Sequence, residues 1–343
     1  MKIKHLASAV LLLLFFACNK KETTQKDTSL VENAPAAADT IKEGDDYTPR
    51  KESINLFALT YRDSTDVAFV SLSDIYPVSG DETDTLALPE VEKMGVKAAA
   101  YFTLEKKYRN RFLAKTNISE TDSVFVYDYR KTKLFSFAVK KLKTAALLSV
   151  YTSEQDWPYH RYDYRIGFEI GKQYLKGVSD YYSDVLVYVG KENPFTKEPL
   201  TPIVWSKIPI NEYPSQPIHK KDLAEFKNKA VGNTYAYKAD HFQYFLQEYL
   251  NNLKEVGSRR LLVLDSKTKK VVVEKLFLES EGSSPAPLNG DNNENGAIQY
   301  TGRLFKNKPP VVFGFQYQSF GCESISLIDT SNEDIYIQCD NRH

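Results

Sequence analysis

Residues 124–139 read VFVYDYRKTKLFSFAV, and this stretch decides the fold class. Two apolar runs, Val124–Arg130 and Leu134–Val139, flank a short polar turn at Lys131–Lys133. Their β-branched and aromatic residues favour strands, and the short turn between them favours an antiparallel hairpin. Residues 261–278 repeat the pattern as LLVLDSKTKKVVVEKLFL, again with Lys-Thr-Lys in the turn. Together the two stretches predict a mainly β protein built from antiparallel sheets.

Looser copies of this hairpin occur elsewhere in the chain. Ile325–Gln338 repeats it around a polar turn, and Val185–Val189 starts another copy before a turn at Gly190–Lys197. The copies recur every ~60–75 residues, which is longer than the ~40–50 residues of a propeller blade. We favour a propeller-like repeat of antiparallel sheets. An α+β fold with two meandering sheets is the alternative.

A helical insertion is predicted near residues 220–256. Within Asp240–Val256, apolar residues recur at helical spacing and would lie on one face. These residues are Phe242, Phe245, Leu246, Tyr249, Leu250 and Leu253. Asp240 is suited to cap the start of this helix and Gly257 to end it. Lys220–Lys229 predicts a shorter helix before it.

The composition is that of a neutral, folded protein. The chain has 343 residues with 45 Lys+Arg and 45 Asp+Glu, so its net charge is zero. A neutral chain without a basic stripe gives no indication of nucleic-acid binding. The 42% hydrophobic share, with 23 Tyr and 19 Phe, is typical of a folded, β-rich body. We interpret residues 53–343 as one such domain.

The chain lacks the common enzyme motifs. It has no G-x-S-x-G elbow, H-E-x-x-H pair, C-x-x-C pair or phosphate loop. Asp291–Gly296 (DNNENG) opens like a calcium loop, but the closing acid is replaced by Gly302, so we interpret it as a polar surface loop. We therefore predict no catalytic residue, no metal site and no cofactor. A site made of carboxylates that the fold brings together is invisible at this level.

The first eighteen residues, MKIKHLASAVLLLLFFAC, have the organisation of an export signal. Lys2 and Lys4 precede an apolar run over Leu6–Phe16, and Ala17 precedes Cys18. The run is too short to span a ~30 Å hydrocarbon core comfortably. Ala17–Cys18 after an apolar run resembles the lipobox of bacterial lipoproteins. The resemblance implies cleavage before Cys18 and a lipid on Cys18.

This resemblance divides the chain into a signal peptide over residues 1–17, a lipidated Cys18 with a tether over residues 18–52, and the domain. The tether is polar and lacks periodicity, so we predict disorder with a mean reach of ~30 Å. Lys20, Lys21 and Glu22 resemble the surface-export signal of Bacteroidetes lipoproteins. We expect a lipid-anchored protein of the outer membrane, on its periplasmic face or on the cell surface.

Cys322 and Cys339 are the remaining cysteines. Outside the cytoplasm two thiols tend to oxidise, so a disulfide is expected. Side-chain alternation along a regular hairpin would point the two sulfurs to opposite sides of the sheet. Bridging would need a bulge or bend, for which Gly321 is the natural place.

The densest aromatic patch of the chain lies between residues 157 and 165. Its rings alternate with hydrogen-bonding groups, and aromatic faces can stack on sugar rings or cations. A packed strand with an aromatic loop is the structural alternative. The candidate ligand-binding residues are Trp157, Tyr159, His160, Arg161 and Tyr162.

Three functional hypotheses follow. The first is a non-enzymatic envelope lipoprotein that binds a glycan or a protein partner. The second is a lipid-anchored hydrolase that uses clustered carboxylates. The third is an accessory subunit of an outer-membrane complex that docks through the Asp240–Val256 helix or a sheet edge.

Overall fold

A computed structural model describes residues 54–62, 65–76, 78, 83–218, 222–226, 229–289 and 298–341. These residues belong to one compact unit, Tyr47–His343. The predicted signal peptide, Cys18, the predicted tether and residues Asp291–Gly296 lie outside the described residues.

The described chain is mainly strand, and most strand pairs are antiparallel, which confirms the predicted class. The strands are β1 Leu56–Tyr61, β2 Val67–Ser71, β3 Tyr101–Thr103, β4 Ser123–Asp128, β5 Lys133–Ala138, β6 Lys143–Leu148, β7 Tyr164–Gly171, β8 Val185–Gly190, β9 Thr201–Pro202, β10 Ser206–Ile208, β11 Ala230–Ala239, β12 Phe242–Leu250, β13 Val256–Asp265, β14 Val271–Leu278, β15 Ser283–Pro285, β16 Tyr300–Gly302, β17 Val311–Phe313, β18 Gln316–Gln318, β19 Ser324–Leu327 and β20 Asp334–Gln338. The α-helices are α1 Val96–Ala99, α2 Lys106–Lys115 and α3 Leu223–Phe226. Short 3₁₀ turns occupy Ser73–Ile75, Val91–Lys93, Val139–Lys141, Glu154–Asp156, Arg161–Asp163, Lys172–Tyr174, Asp180–Tyr182 and Ile210–Glu212.

The largest sheet is organised around β1, which changes partners along its length. Leu56–Ala58 pairs antiparallel with β8, and Leu56 and Phe57 also pair with β20 in parallel. Leu59–Tyr61 pairs instead with β2. From β1 the sheet continues in three directions, through β2, β7, β6 and β3, through β8, β4 and β5, and through β20, β19, β17, β16 and β9. We call this change of partners the β1 fork.

Strands β10–β14 form a second sheet in which each strand pairs with its neighbour in the chain. This is a meander, the arrangement expected for the α+β alternative. β15 and β18 form a separate pair. These sheets do not confirm the propeller-like repeat, which stays a prediction.

The prediction of a helical insertion at 220–256 is wrong for its longer helix, Asp240–Val256. Phe242–Leu250 is strand β12, and Val256–Asp265 is strand β13, so no helix spans Asp240–Val256. Asp240 lies in the tight turn between β11 and β12 with φ +51°, and Gly257 lies inside β13. Of the shorter helix predicted over Lys220–Lys229, the four residues of α3 are helical.

Two periodicities coincide in this stretch, and the strand periodicity decides the structure. Phe242, Tyr244 and Leu246 alternate with half-buried residues and pack on one face of the sheet. The same segment also carries apolar residues three and four positions apart. Because β11 and β13 pair with β12 on both edges, the sheet satisfies its backbone groups and prevails over the helical pattern.

The core of the larger sheet lies under α2. Phe112 is fully buried and contacts Tyr76 and Phe168 edge-on, with ring centroids 5.0 and 5.6 Å apart. Tyr108 and Leu113 are buried on the same side of the helix. This packing fixes β7, the strand that follows the aromatic patch. Among the described residues, no helix is long and apolar enough to cross a membrane.

Candidate functional site

The aromatic patch lies in a long connection between two neighbouring strands. β6 ends at Leu148 and β7 begins at Tyr164, and the two strands pair antiparallel. The backbone N–H of Ser149 donates to the carbonyl oxygen of Asp163 over 2.7 Å, which closes the connection at its base. Connections of this length without long elements are uncommon in compact domains and are often functional. We call residues 149–163 the β6–β7 loop.

Two aromatic residues anchor the β6–β7 loop to the core. Tyr159 is only 3% exposed, and Trp157 packs half-buried against the same hydrophobic cluster. Their rings meet edge-on with centroids 5.0 Å apart, and Tyr159 lies 6.4 Å from the buried ring of Tyr164. Trp157 and Tyr159 therefore hold the loop in place.

The outer side of the loop presents a different set of rings. His160 and Tyr162 stack almost parallel, with centroids 5.5 Å apart and planes 2° apart. Tyr162 is 56% exposed and Tyr151 is 66% exposed. These rings face a groove of about 390 Å³. The residues lining it are Ser149, Tyr151, Thr152, Asp156, His160, Tyr162 and Asp163. We call it the aromatic groove.

Two carboxylates of the aromatic groove also hold the loop backbone. Asp156 accepts from the backbone N–H and the hydroxyl of Ser153, over 2.7 and 2.9 Å. These hydrogen bonds hold the pKa of Asp156 below its ordinary value. Asp163 accepts from the backbone N–H of His160 over 2.7 Å. Because each carboxylate has several acceptor positions, both keep capacity for hydroxyl or amide donors of a ligand.

The structure divides the predicted ligand-binding set. His160 and Tyr162 line the groove, whereas Trp157 and Tyr159 pack inward and Arg161 is half-buried outside the lining residues. The predicted set omitted Tyr151, which lies in the β6–β7 loop because β6 ends at Leu148. Val150 and Tyr151 follow one another and are both strongly exposed. In a strand packed on one face, one of two successive side chains would be buried, so their joint exposure is typical of a loop. This exposure is seen only in the folded structure.

Cys322 and Cys339 form a disulfide, with Cα atoms 5.6 Å apart. The ladder between β19 and β20 pairs Ser324 with Tyr336, and both cysteines lie just beyond these strands. Gly321 has φ +104°, so the chain bends immediately before Cys322. Since the cysteines stand outside the regular strands, the alternation that would separate their sulfurs does not apply.

A second concave site of about 310 Å³ lies at the β1 fork. Its apolar residues come from β1, β8, β19 and β20, and from Phe313 of β17. They are Ala58, Leu59, Val185, Leu186, Phe313, Ile325 and Ile337. The rim carries Tyr129, Tyr181, Tyr182, Ser183, Gln318, Gly321, Glu323 and the disulfide. We call it the fork pocket.

The polar groups near the fork pocket influence one another. The hydroxyl of Tyr129 donates to Asp184 over 3.3 Å, and Arg130 contacts Asp184 over 3.7 Å. Burial raises the pKa of Tyr129, and the negative charges of Asp184 and Glu323 raise it further. Glu323 is an exposed residue. The surrounding protein nevertheless raises its pKa, and the charge of Asp184 adds to this.

Within the described ranges, no group of three or more His, Cys, Asp or Glu side chains is arranged to hold a metal ion. His160 and His241 are each engaged with a neighbouring ring, Tyr162 and Phe242 respectively.

No protein family, curated protein or solved structure matches this chain.

Proposed function

We propose that this protein is a non-enzymatic binding lipoprotein of the bacterial outer membrane, anchored in the bilayer through Cys18, and that it binds a glycan at the aromatic groove. The proposal depends on the exposed rings of Tyr151, His160 and Tyr162 around that groove. The domain would face the periplasm or the cell exterior. An envelope protein is the alternative partner.

The groove combines the two features that sugar recognition needs. Exposed aromatic faces can stack on the apolar face of a sugar ring. The carboxylates of Asp156 and Asp163 lie beside these rings and can accept hydrogen bonds from sugar hydroxyls. Because both carboxylates are already fixed to the loop backbone, little ordering entropy is lost on binding.

The hydrolase alternative is less well supported. Asp184 and Glu323 lie near enough to influence each other, but Tyr129 and Arg130 engage Asp184. Only Glu323 of this pair lines the fork pocket. Glycosidic hydrolysis by two carboxylates needs both of them to face the substrate. The accessory-subunit alternative loses its docking helix, since β12 and β13 occupy those residues, and keeps edge strands such as β5.

A glycan array with the purified full-length protein tests the proposal. Tyr162→Ala and Tyr151→Ala should each weaken binding about 2- to 10-fold, the loss expected for one stacked ring. Both residues are largely exposed, so neither change should unfold the domain. Tyr336→Ala is the matched control, because Tyr336 is 63% exposed on β20 and does not line the groove.

Binding that survives both substitutions, or a parent that binds no glycan, would contradict glycan recognition at this groove. Loss of binding in Tyr336→Ala as well would mean that the effect is not specific to the groove. Capture of a defined envelope protein that depends on Tyr151 and Tyr162 would favour the alternative partner.

A further inference from the structure

The fork pocket exists because β1 changes partners. Leu56 and Phe57 lie between β8 and β20, Ala58 pairs with β8, and from Leu59 onward the strand pairs with β2. The neighbouring strands therefore diverge beside Ala58 and Leu59, which both line the pocket. Apolar side chains thus line a concavity that a regular sheet would fill. Its volume of about 310 Å³ lies at the lower end of the range of small-ligand sites, and its lining combines apolar residues with polar groups on the rim.

Two residues on the rim of the pocket have an energetically unfavourable backbone conformation. Tyr181 and Tyr182 have φ values of +56° and +58°, in the left-handed region that bulky residues rarely adopt. Such residues cost about 1–3 kcal/mol each and tend to occur at binding sites. Here they place two tyrosines on the rim, and Tyr181 is 80% exposed with its ring 6.0 Å from that of Tyr61.

Glu323 directly precedes β19 and lines the same pocket. Within the described residues, its carboxylate has no hydrogen bond and no ion pair. Nearby protein atoms and the charge of Asp184 both disfavour its negative charge and raise its pKa, although the residue is exposed to solvent. A positive group placed in the pocket would reverse this penalty.

We propose that the fork pocket binds an alkylammonium group, with the cationic end at Glu323 and the tyrosines and the alkyl stem on the apolar lining. A carboxylate supplies a charge-assisted hydrogen bond to an N–H⁺ donor. The faces of tyrosine rings attract cations by their quadrupole. The apolar residues Leu59, Ile325 and Ile337 can bury the methylenes that follow the nitrogen. This site is separate from the aromatic groove and does not depend on glycan binding.

Isothermal titration of the full-length protein in detergent with n-butylammonium chloride tests the proposal. We expect saturable binding of n-butylammonium and none of n-butanol, which has the same stem without charge. Glu323→Gln should weaken binding about 10- to 100-fold, since it replaces a charged acceptor with a neutral one. Tyr181→Leu should weaken it about 3- to 10-fold through loss of the ring. Glu333→Gln is the matched control, because Glu333 is an exposed acid in the turn of the same hairpin.

A second ligand separates the two sources of this chemistry. If Nα-acetyl-lysine methylamide binds tighter than n-butylammonium, the pocket recognises a lysine side chain of a peptide. Equal affinity indicates a free amine, and both results support the proposal.

The proposal is overturned if n-butylammonium gives no saturable heat, if n-butanol binds equally well, or if Glu323→Gln binds like the parent. Circular dichroism of each variant excludes unfolding as the cause of a loss. Tyr181 is largely exposed, so Tyr181→Leu should fold normally. It therefore tests the proposal even if the Glu323 variant misfolds. A negative result here leaves the glycan proposal intact, because the two sites share no lining residue.

Discussion

Glu248 and Arg259 form a buried ion pair on neighbouring strands. They are register partners on β12 and β13, both are nearly inaccessible, and Glu248 Oε1 lies 3.1 Å from Arg259 Nη2. Arg259 also donates to the carbonyl oxygen of Ala286. Glu248→Ala should lower the free energy of unfolding by about 3–5 kcal/mol, because it removes the carboxylate that pairs with a buried guanidinium. Urea denaturation measures this.

Two further variants test that explanation. Glu255→Ala removes an exposed acid from the β12–β13 turn and should change the free energy of unfolding by less than about 0.5 kcal/mol. Replacing both Glu248 and Arg259 with Met should recover much of the loss, since no charge is then left unpaired. A double variant as unstable as Glu248→Ala would show that packing, and not the unpaired charge, causes the loss.

Glu323 should make stability depend on pH. Its pKa in the folded protein is raised above the usual 4.5 by the surrounding protein and by the charge of Asp184. Below that ordinary value both the folded and the unfolded chain hold the proton. As pH rises, the unfolded chain releases it first, so folding stability falls until the folded pKa is passed. Glu323→Gln should therefore be more stable than the parent at pH 7 and about equal to it near pH 4.

Urea denaturation at the two pH values measures the difference. Glu333→Gln on the same hairpin should show no such gain at pH 7. A Glu323→Gln variant less stable than the parent at pH 7 would contradict the explanation and would indicate a favourable contact of the carboxylate.

At the scale of elements, β12 offers a direct test of strand against helix. Tyr244 is 1% exposed, and its hydroxyl donates to that of Thr301, which in turn donates to the carbonyl oxygen of Val311. Tyr244→Ala should lower the free energy of unfolding by about 3–5 kcal/mol through the cavity. Tyr244→Phe should cost about 1 kcal/mol for the hydrogen bond.

Gln243→Ala is the matched control. Gln243 is half-buried on the opposite face and should cost less than about 1 kcal/mol. If this stretch were the predicted helix, Tyr244 would lie outside its apolar face and would be exposed. A Tyr244→Ala variant as stable as the control would therefore favour the helix and contradict the strand.

Local pattern predicted the hairpins well and this stretch poorly, for one physical reason. In Val124–Val139 the two runs consist mostly of aromatic and β-branched residues, and a short polar turn separates them. The local preference for a hairpin therefore agrees with the pairing of β4 and β5. In Phe242–Leu250 only the pairing with β11 and β13 decides between two coincident periodicities. Such pairing is tertiary information, and it overrides local preference.

At the scale of the whole molecule, the two candidate sites differ in how visible they are in the sequence. The aromatic groove is formed mostly by one continuous loop, so its rings stand out as a dense patch even though Tyr151 was missed. The fork pocket brings together residues from Ala58 to Cys339. No local pattern links Tyr181 with Glu323, which are far apart in the sequence and line one pocket only in the folded chain. Of the residues that line the fork pocket, only Cys322 and Cys339, with Gly321 beside them, stand out in the sequence.

The proposed lipid anchor on Cys18 concerns the whole molecule and can be tested directly. If Cys18 carries the lipid, Cys18→Ala should abolish incorporation of an alkyne-tagged fatty acid and release the protein from its stable place in the membrane fraction. Acyl chains contribute about 0.8 kcal/mol per buried CH₂, so a protein without them loses most of its affinity for the bilayer. Asn19→Ala, one residue away, keeps the thiol and should label and fractionate like the parent. A Cys18→Ala protein that is still labelled, or a parent that never is, would contradict a lipid on Cys18, and the proposed outer-membrane location would lose its physical basis.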